Sequence, residues 1–283
     1  MAGIWRICGQ DKGFSDRGMV MGIVNVTPDS FSDGGKYLDT DLAVKLGLRH
    51  VAEGAEILDV GGESTRPGAV AVDAEEEMRR VLPVIRALRA QTSVLISIDT
   101  MKAAVAAAAL EAGAHIINDV TGLTGDPDML GVARDSDAGL VVMHMQGTPR
   151  TMQQQPHYDD VVQEVKVFFE GRLFSLEEAG IDPMRVALDP GFGFGKTLEH
   201  NRALLRELPK LRVEDRPLLV GVSRKSMLGK WVGSTDIEDR NWPTVALTAW
   251  MRERGAEVVR VHDVKPNVEA MRMAEAIGLL TID

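Results

Sequence analysis

"VLISIDTMKAAVAAAALEAGAHIINDVTG", residues 94–122, decides the fold. An apolar run ends on Asp99, an Ala-rich stretch with strong helical preference follows, and a second apolar run ends on Asn118 and Asp119. Both runs are apolar on both faces, as strands of a covered parallel sheet are. Gly113, in "LEAGAHI", stands where a helix C-cap hands over to the next strand. The stretch therefore reads as strand, crossover helix and parallel strand.

The same pattern recurs in both directions. "MVMGIVNV", "AEILDVGG", "GLVVMHM", "RVALDPG", "PLLVGVS" and "VVRVHDV" are further strands, and "DTDLAVKLGLRHVAEG" and "DAEEEMRRVLPVIRALRA" are amphipathic helices between them. Eight strand–helix units predict an α/β protein, a (β/α)8 TIM barrel. A doubly wound open sheet is the rival, and the count of eight and the length of 283 residues favour the barrel. With no composition break to mark a linker, residues 19–283 form one barrel domain. Residues 1–18 form a short N-terminal extension that covers its lower end.

Composition narrows the function. At 45% hydrophobic and 26% charged the chain is ordinary for a globular protein. A net charge of −10 argues against nucleic acid, because phosphate binding depends on a basic face. No run approaches a membrane span and the N-terminus carries no apolar leader. A single cysteine, Cys8, excludes an internal disulfide and fits a cytoplasmic setting.

The strand ends hold the chemistry. They close on Asn25, on "GGESTRPG", on Asp99, on Asn118–Asp119, on "MHM", on Asp189, on "SRKS", and on Arg260 with His262. Any one of these is ordinarily a turn or capping residue. Repetition at nearly every strand, joined by Lys225, Arg260 and His262, points instead to an active site at the C-terminal mouth of a barrel. Such a mouth binds a polar, partly anionic ligand.

"DPGFGFGK", residues 189–196, has neither the spacing of a phosphate-binding P-loop nor that of a dinucleotide fingerprint. It reads as a glycine-rich turn that brings Asp189 and Phe194 to one cavity. Ser226 opens a helical stretch, where backbone N–H groups favour a carboxylate or phosphate. His50, His115, His157 and His200 read as surface or structural residues. The spacing offers no zinc site and no nucleophile elbow, and Cys8 lies outside the barrel units.

Taken in order, "MGIVNVTPDSFSDGG", "ILDVGGESTRPGA", "ISIDT", "INDVTG", "VMHMQGTP", "LDPGFGFGK", "VGVSRKSMLG" and "VRVHDV" resemble the dihydropteroate synthases of the pterin-binding family. The resemblance implies a homodimeric barrel in the folate pathway. It implies condensation of 6-hydroxymethyl-7,8-dihydropterin diphosphate with 4-aminobenzoate, with Mg2+, and inhibition by sulfonamides. It assigns Asp99, Asn118, Asp189, Lys225, Met143, Phe194 and Arg260 to the pterin, and Asn25, Thr65, Arg260 and His262 to the diphosphate. Asn25 also contacts the metal. Phe31, Thr65, Arg66, Pro67 and Ser226 fall to aminobenzoate, and the catalytic set is Lys225, Arg260, His262 and Asp33. The loop "NVTPDSFSDGG" then closes over the diphosphate together with "STRPG". Two rivals remain: a methyltetrahydrofolate:corrinoid methyltransferase, which would lack "NVTPDSFSDGG", "STRPG" and "SRKS", and a catalytically silent pterin-binding paralogue, which would need a lost site residue.

Overall fold

Eight parallel strands close on themselves in the computed structural model, which describes residues 3–27, 36–64, 71–148 and 151–278. An antiparallel hairpin comes first, β1 (Ile4–Ile7) and β2 (Gln10–Gly13). The barrel strands are β3 (Met19–Asn25), β4 (Ile57–Gly61), β5 (Leu95–Asp99), β6 (Ile116–Asp119), β7 (Gly139–Met143), β8 (Val186–Asp189), β9 (Leu218–Val220) and β10 (Ala256–Val261). Pairing of Val258 with Met19 and of Val261 with Gly22 joins the last strand to the first, which excludes the open sheet.

Helices cover the outside: α1 (Lys36–Ala52), α2 (Ala74–Arg89), α3 (Ala103–Glu111), α4 (Met129–Arg134), α5 (Val161–Glu178) and α6 (Leu198–Arg206). The connection from β9 to β10 carries two, α7 (Ser226–Val232) and α8 (Asn241–Glu253), and α9 (Val264–Gly278) follows the last strand. Local chemistry sets several starts. Asp73 accepts the Glu76 N–H ahead of α2, and Asp160 accepts those of Val162 and Gln163 ahead of α5. Thr197 and His200 form a capping box at α6. His115 Nδ1 accepts the Ile96 N–H, and His50 Nε2 lies 3.1 Å from the Ile23 carbonyl. Three of the four histidines set aside from chemistry therefore bond backbone groups.

The sheet divides the core in two. One apolar shell lies between barrel and helices. The other fills the lower lumen, where Met21, Ile57, Ile116, Val141, Leu219 and Val258 meet Trp5, Ile7 and Phe14 from the hairpin region. Trp5 is fully buried and its indole N–H donates to the Arg185 carbonyl at 2.7 Å. With the bottom plugged by apolar side chains, polar groups on the upper lumen face have one way out, through the mouth. Among the described residues no helix is long and apolar enough to cross a membrane.

Trp5→Ala should empty this plug and lower unfolding stability by about 3–5 kcal/mol. Denaturant titration checks the value; a loss below about 1 kcal/mol would show that the hairpin is not integral to the barrel.

Candidate active site

Strand register builds the site. Asn25 pairs with Gly61, Gly61 with Asp99, and Asp99 with Asn118; farther round, Met143 pairs with Asp189. Alternation along each strand turns these residues to the lumen side, above the apolar plug. Arg260 enters from β10 and binds two carboxylates at once. Its Nε donates to Asp59 Oδ2 at 2.5 Å and its Nη2 to Asp99 Oδ2 at 2.7 Å. Asn118 Nδ2 donates to the same Asp59 oxygen at 3.1 Å.

Asp59 is fully buried and was not among the residues singled out from sequence. Its signal was a carboxylate in the middle of the apolar run "ILDVG", a position that is costly to bury without a cation. Reading only the strand ends passed over it.

Burial governs the charges here. It pushes the Asp99 carboxyl above the usual range, against the pull of Arg260 and with help from the nearby Asp59 charge. One guanidinium serving two recessed carboxylates leaves Asp99 undercompensated. Burial likewise raises Asp189, opposed by Lys225, by the Gly191 N–H at 2.8 Å, by Arg260 and by Lys196. Lys225 is pulled down to about 8 by burial, with Asp189 resisting. Its Nζ donates to the Phe192 carbonyl and lies 4.3 Å from the centre of the Phe194 ring. Met143, 3% exposed, and the half-buried Phe194 supply the apolar surfaces of the mouth.

The alternating glycines now have a cause. Gly191, Gly193 and Gly195 all adopt left-handed backbone, with φ of 65°, 79° and 60°. A side chain on Gly191 would strike the His144 carbonyl, and one on Gly195 would meet the Gln146 carbonyl at 2.6 Å. The loop after β8 thus lies directly on the loop after β7. Lys196, buried at its end, escaped the sequence reading, which took only Asp189 and Phe194 from this run.

His262 is held by Ser223, whose Oγ lies 2.9 Å from Nδ1 and accepts the His262 backbone N–H at 3.1 Å. Arg224, left-handed at φ 56°, pairs with Asp263 and fixes the "SRKS" turn against the end of β10. Ser226 is exposed at the first position of α7. Asn25 is half-buried, and a β-carbon on Gly61 would come within 3.7 Å of both Asn25 Oδ1 and Asp99 Oδ2. The glycine therefore leaves a small cradle between two hard oxygens. Thus Asn25, Asp99, Asn118, Met143, Asp189, Phe194, Lys225, Ser226, Arg260 and His262 lie at or beside the C-terminal ends of the barrel strands. Phe31, Asp33, Thr65, Arg66 and Pro67 lie outside the described residues.

Two surface grooves lie elsewhere, about 330 Å³ beside Trp231 and Trp250 and about 520 Å³ between α1 and α9. Neither carries the carboxylate and lysine array of the mouth.

The undercompensated Asp99 yields a stability prediction. Because its folded pKa is raised, its favourable contribution is present below the unfolded carboxylate pKa and is lost as pH rises through the folded value. Asp99→Asn should therefore raise the thermal midpoint of the ligand-free protein at pH 8, and the gain should shrink towards pH 4. A midpoint that falls at pH 8 would show that Arg260 fully compensates both carboxylates.

Comparison with known proteins agrees with this geometry. Residues 21–262 match the family model described as pterin binding enzyme. Dihydropteroate synthase of Escherichia coli is 48% identical over 257 residues, 91% of this chain and 90% of that protein. Xanthomonas albilineans dihydropteroate synthase with 4-aminobenzoic acid superposes with a TM-score of 0.90 at 47% identity, covering 98% of each chain. The Yersinia pestis enzyme in a sulfonamide drug complex gives 0.90 at 44% identity, covering 97% and 98%. The chain belongs to the pterin-binding enzyme family, among its dihydropteroate synthases.

Proposed function

We propose that the mouth condenses 6-hydroxymethyl-7,8-dihydropterin diphosphate with 4-aminobenzoate, giving 7,8-dihydropteroate and diphosphate. The observation that carries this reading is the array of acceptors and cations on one lumen face: Asp99, Asn118 and Asp189 beside Lys225 and Arg260. A pterin presents a guanidine-like edge of N–H donors, which a carboxylate accepts in a two-point pair. Asp189 takes that edge, Asp99 and Asn118 meet the rest of the ring, and Lys225 donates to its carbonyl. A ligand that leaves these buried groups unpaired is rejected.

The reaction is read as dissociative. Positive charge delocalises from the pterin methylene into the ring as the bond to diphosphate breaks, and Arg260 and His262 face the departing oxygens. The neutral amine of aminobenzoate then attacks the methylene carbon and loses a proton, so no strong general base is needed. The aminobenzoate carboxylate is assigned to Ser226 at the start of α7. Phe31, Thr65, Arg66 and Pro67 are assigned to its ring, Asp33 to the reacting methylene, and Thr65 and Asn25 to the diphosphate.

The donor set suits magnesium. The cradle at Gly61 offers Asn25 Oδ1 as one hard oxygen, and among the described residues no group of three acidic, His or Cys side chains forms a cage. Mg2+ takes few protein ligands and keeps most of its waters. Bound through Asn25 and the substrate, it would add positive charge at the leaving diphosphate.

A homodimer in the cytoplasm completes the reading. Trp242 on α8, at 77% exposure, and Val232 on α7 are large apolar side chains open to solvent. Such exposed apolar surface supports association with a second copy. The lone Cys8 supports a reducing compartment.

Purified protein with dihydropterin diphosphate and Mg2+ should release diphosphate only when aminobenzoate is present, and should yield dihydropteroate. Lys225→Ala should lower kcat/KM roughly 10- to 100-fold, the range for losing a charged hydrogen bond. Tight pterin binding without turnover would make the chain a silent paralogue, and no pterin binding would refute the reading. Sulfonamide at millimolar concentration should raise the apparent KM for aminobenzoate without changing kcat; an unchanged rate would remove the aminobenzoate subsite from the account.

A further inference from the structure

Lys196 takes no part in the reaction as described, yet it is only 3% exposed. Its Nζ lies 3.0 Å from His144 Nδ1, 3.3 Å from the His144 carbonyl, 3.1 Å from the Gly191 carbonyl and 2.9 Å from the Phe194 carbonyl. Carbonyl oxygens only accept. A neutral amine has two hydrogens for three carbonyl oxygens, whereas an ammonium has three to donate. The cage is therefore built for the charged form, although burial pulls Lys196 down to about 7 and Asp189 pulls it back up. His144 is held neutral by burial and by the Lys196 charge, at about 3.

A staple for the loop would not need a charge. Neutral staples are already present: Tyr158 donates to the Gly195 carbonyl at 2.9 Å, Gln153 to the Gly193 carbonyl at 2.6 Å, and Asn201 accepts the Gly193 N–H at 2.8 Å. Burying an ammonium here is costly, and a neutral donor would span the same gap at less cost. What Lys196 adds is a positive charge one residue's backbone from the Asp189 carboxylate: its Nζ donates to the Gly191 carbonyl, and the Gly191 N–H donates to Asp189 Oδ1.

We propose that Lys196 is a positioning residue whose buried ammonium, locked between the loops after β7 and β8, keeps Asp189 ionised so that it accepts the paired N–H groups of the pterin. This rests on the pterin reading of the mouth. Asp189 is faced by Lys225 from the β9–α7 turn, by Arg260 from β10 and by Lys196 from its own loop; Lys196 is faced by Asp189, Lys225, His144 and His200. When pterin engages Lys225, Lys196 still holds Asp189 as a carboxylate, alongside an Arg260 that is already shared by Asp59 and Asp99.

The test is the pH profile of dihydropterin diphosphate binding, followed by fluorescence, in Lys196→Met, Lys196→Gln, Lys196→Arg and Tyr158→Phe. Binding is lost as pH falls through the Asp189 pKa, and removing a nearby cation raises that pKa. Both neutral variants should therefore move the acid limb up by about one pH unit. At pH 6.5 they should weaken pterin binding about tenfold, with the KM for aminobenzoate within twofold of the parent. Lys196→Arg should keep the parent limb, and Tyr158→Phe should lower affinity, if at all, equally at every pH. A uniform loss, an unmoved limb, or neutral variants that fail to fold would make Lys196 a structural clip and overturn the proposal. Parent protein that binds no pterin would instead refute the reading of the site itself.

Discussion

Arg260 holds the upper lumen together because two carboxylates share it. Asp59 has no exposure and Asp99 little, so without the guanidinium the barrel would enclose uncompensated charge. The pairing also draws Asn118 into place through Asp59. Three strands and the closing strand are thereby tied by polar contacts at the level where a ligand enters. The arrangement leaves Asp99 and Asp189 pushed above the ordinary carboxylate range, so the ligand-free site is held at some cost in stability. A ligand that donates N–H groups to these oxygens relieves that cost, which makes the strain itself a source of selectivity.

The division of the lumen explains why such a site can exist. Below, Trp5, Ile7 and Phe14 seal an apolar plug; above, register rather than loop placement aligns Asn25, Asp99 and Asn118. Strand-borne groups move little, which suits recognition of a flat ring with fixed donors. The glycine loop after β8 is equally constrained, since Gly191 and Gly195 allow its backbone to touch that of the β7 loop. Strand-fixed side chains and a constrained glycine loop thus meet at the same mouth.

Much of this was legible in the chain. Parallel strands covered on both faces, ending one after another on polar residues, imply a barrel and its mouth, because a strand end is the place where side-chain chemistry and backbone closure meet. The N-terminal hairpin was legible only as an extension, since its short polar β2 strand carries no apolar pattern. Asp59 was hidden because a charge inside an apolar run looks like an exception until its cation, 201 residues away, is seen beside it. Lys196 was hidden for a related reason. A lysine after glycines is usually solvated, and only the folded loops reveal the three carbonyls that enclose it.

The account stands on Asp189 reading the N–H edge of a pterin. Calorimetric titration of dihydropterin diphosphate into the parent protein and into Asp189→Asn tests this most directly. The amide keeps the shape but replaces one acceptor with a donor that faces the ligand's own donors. The predicted result is a rise in Kd of roughly 100-fold or more in the variant, from the loss of a charged two-point pair. Equal affinity in the two proteins would contradict the account and place the ligand elsewhere in the mouth.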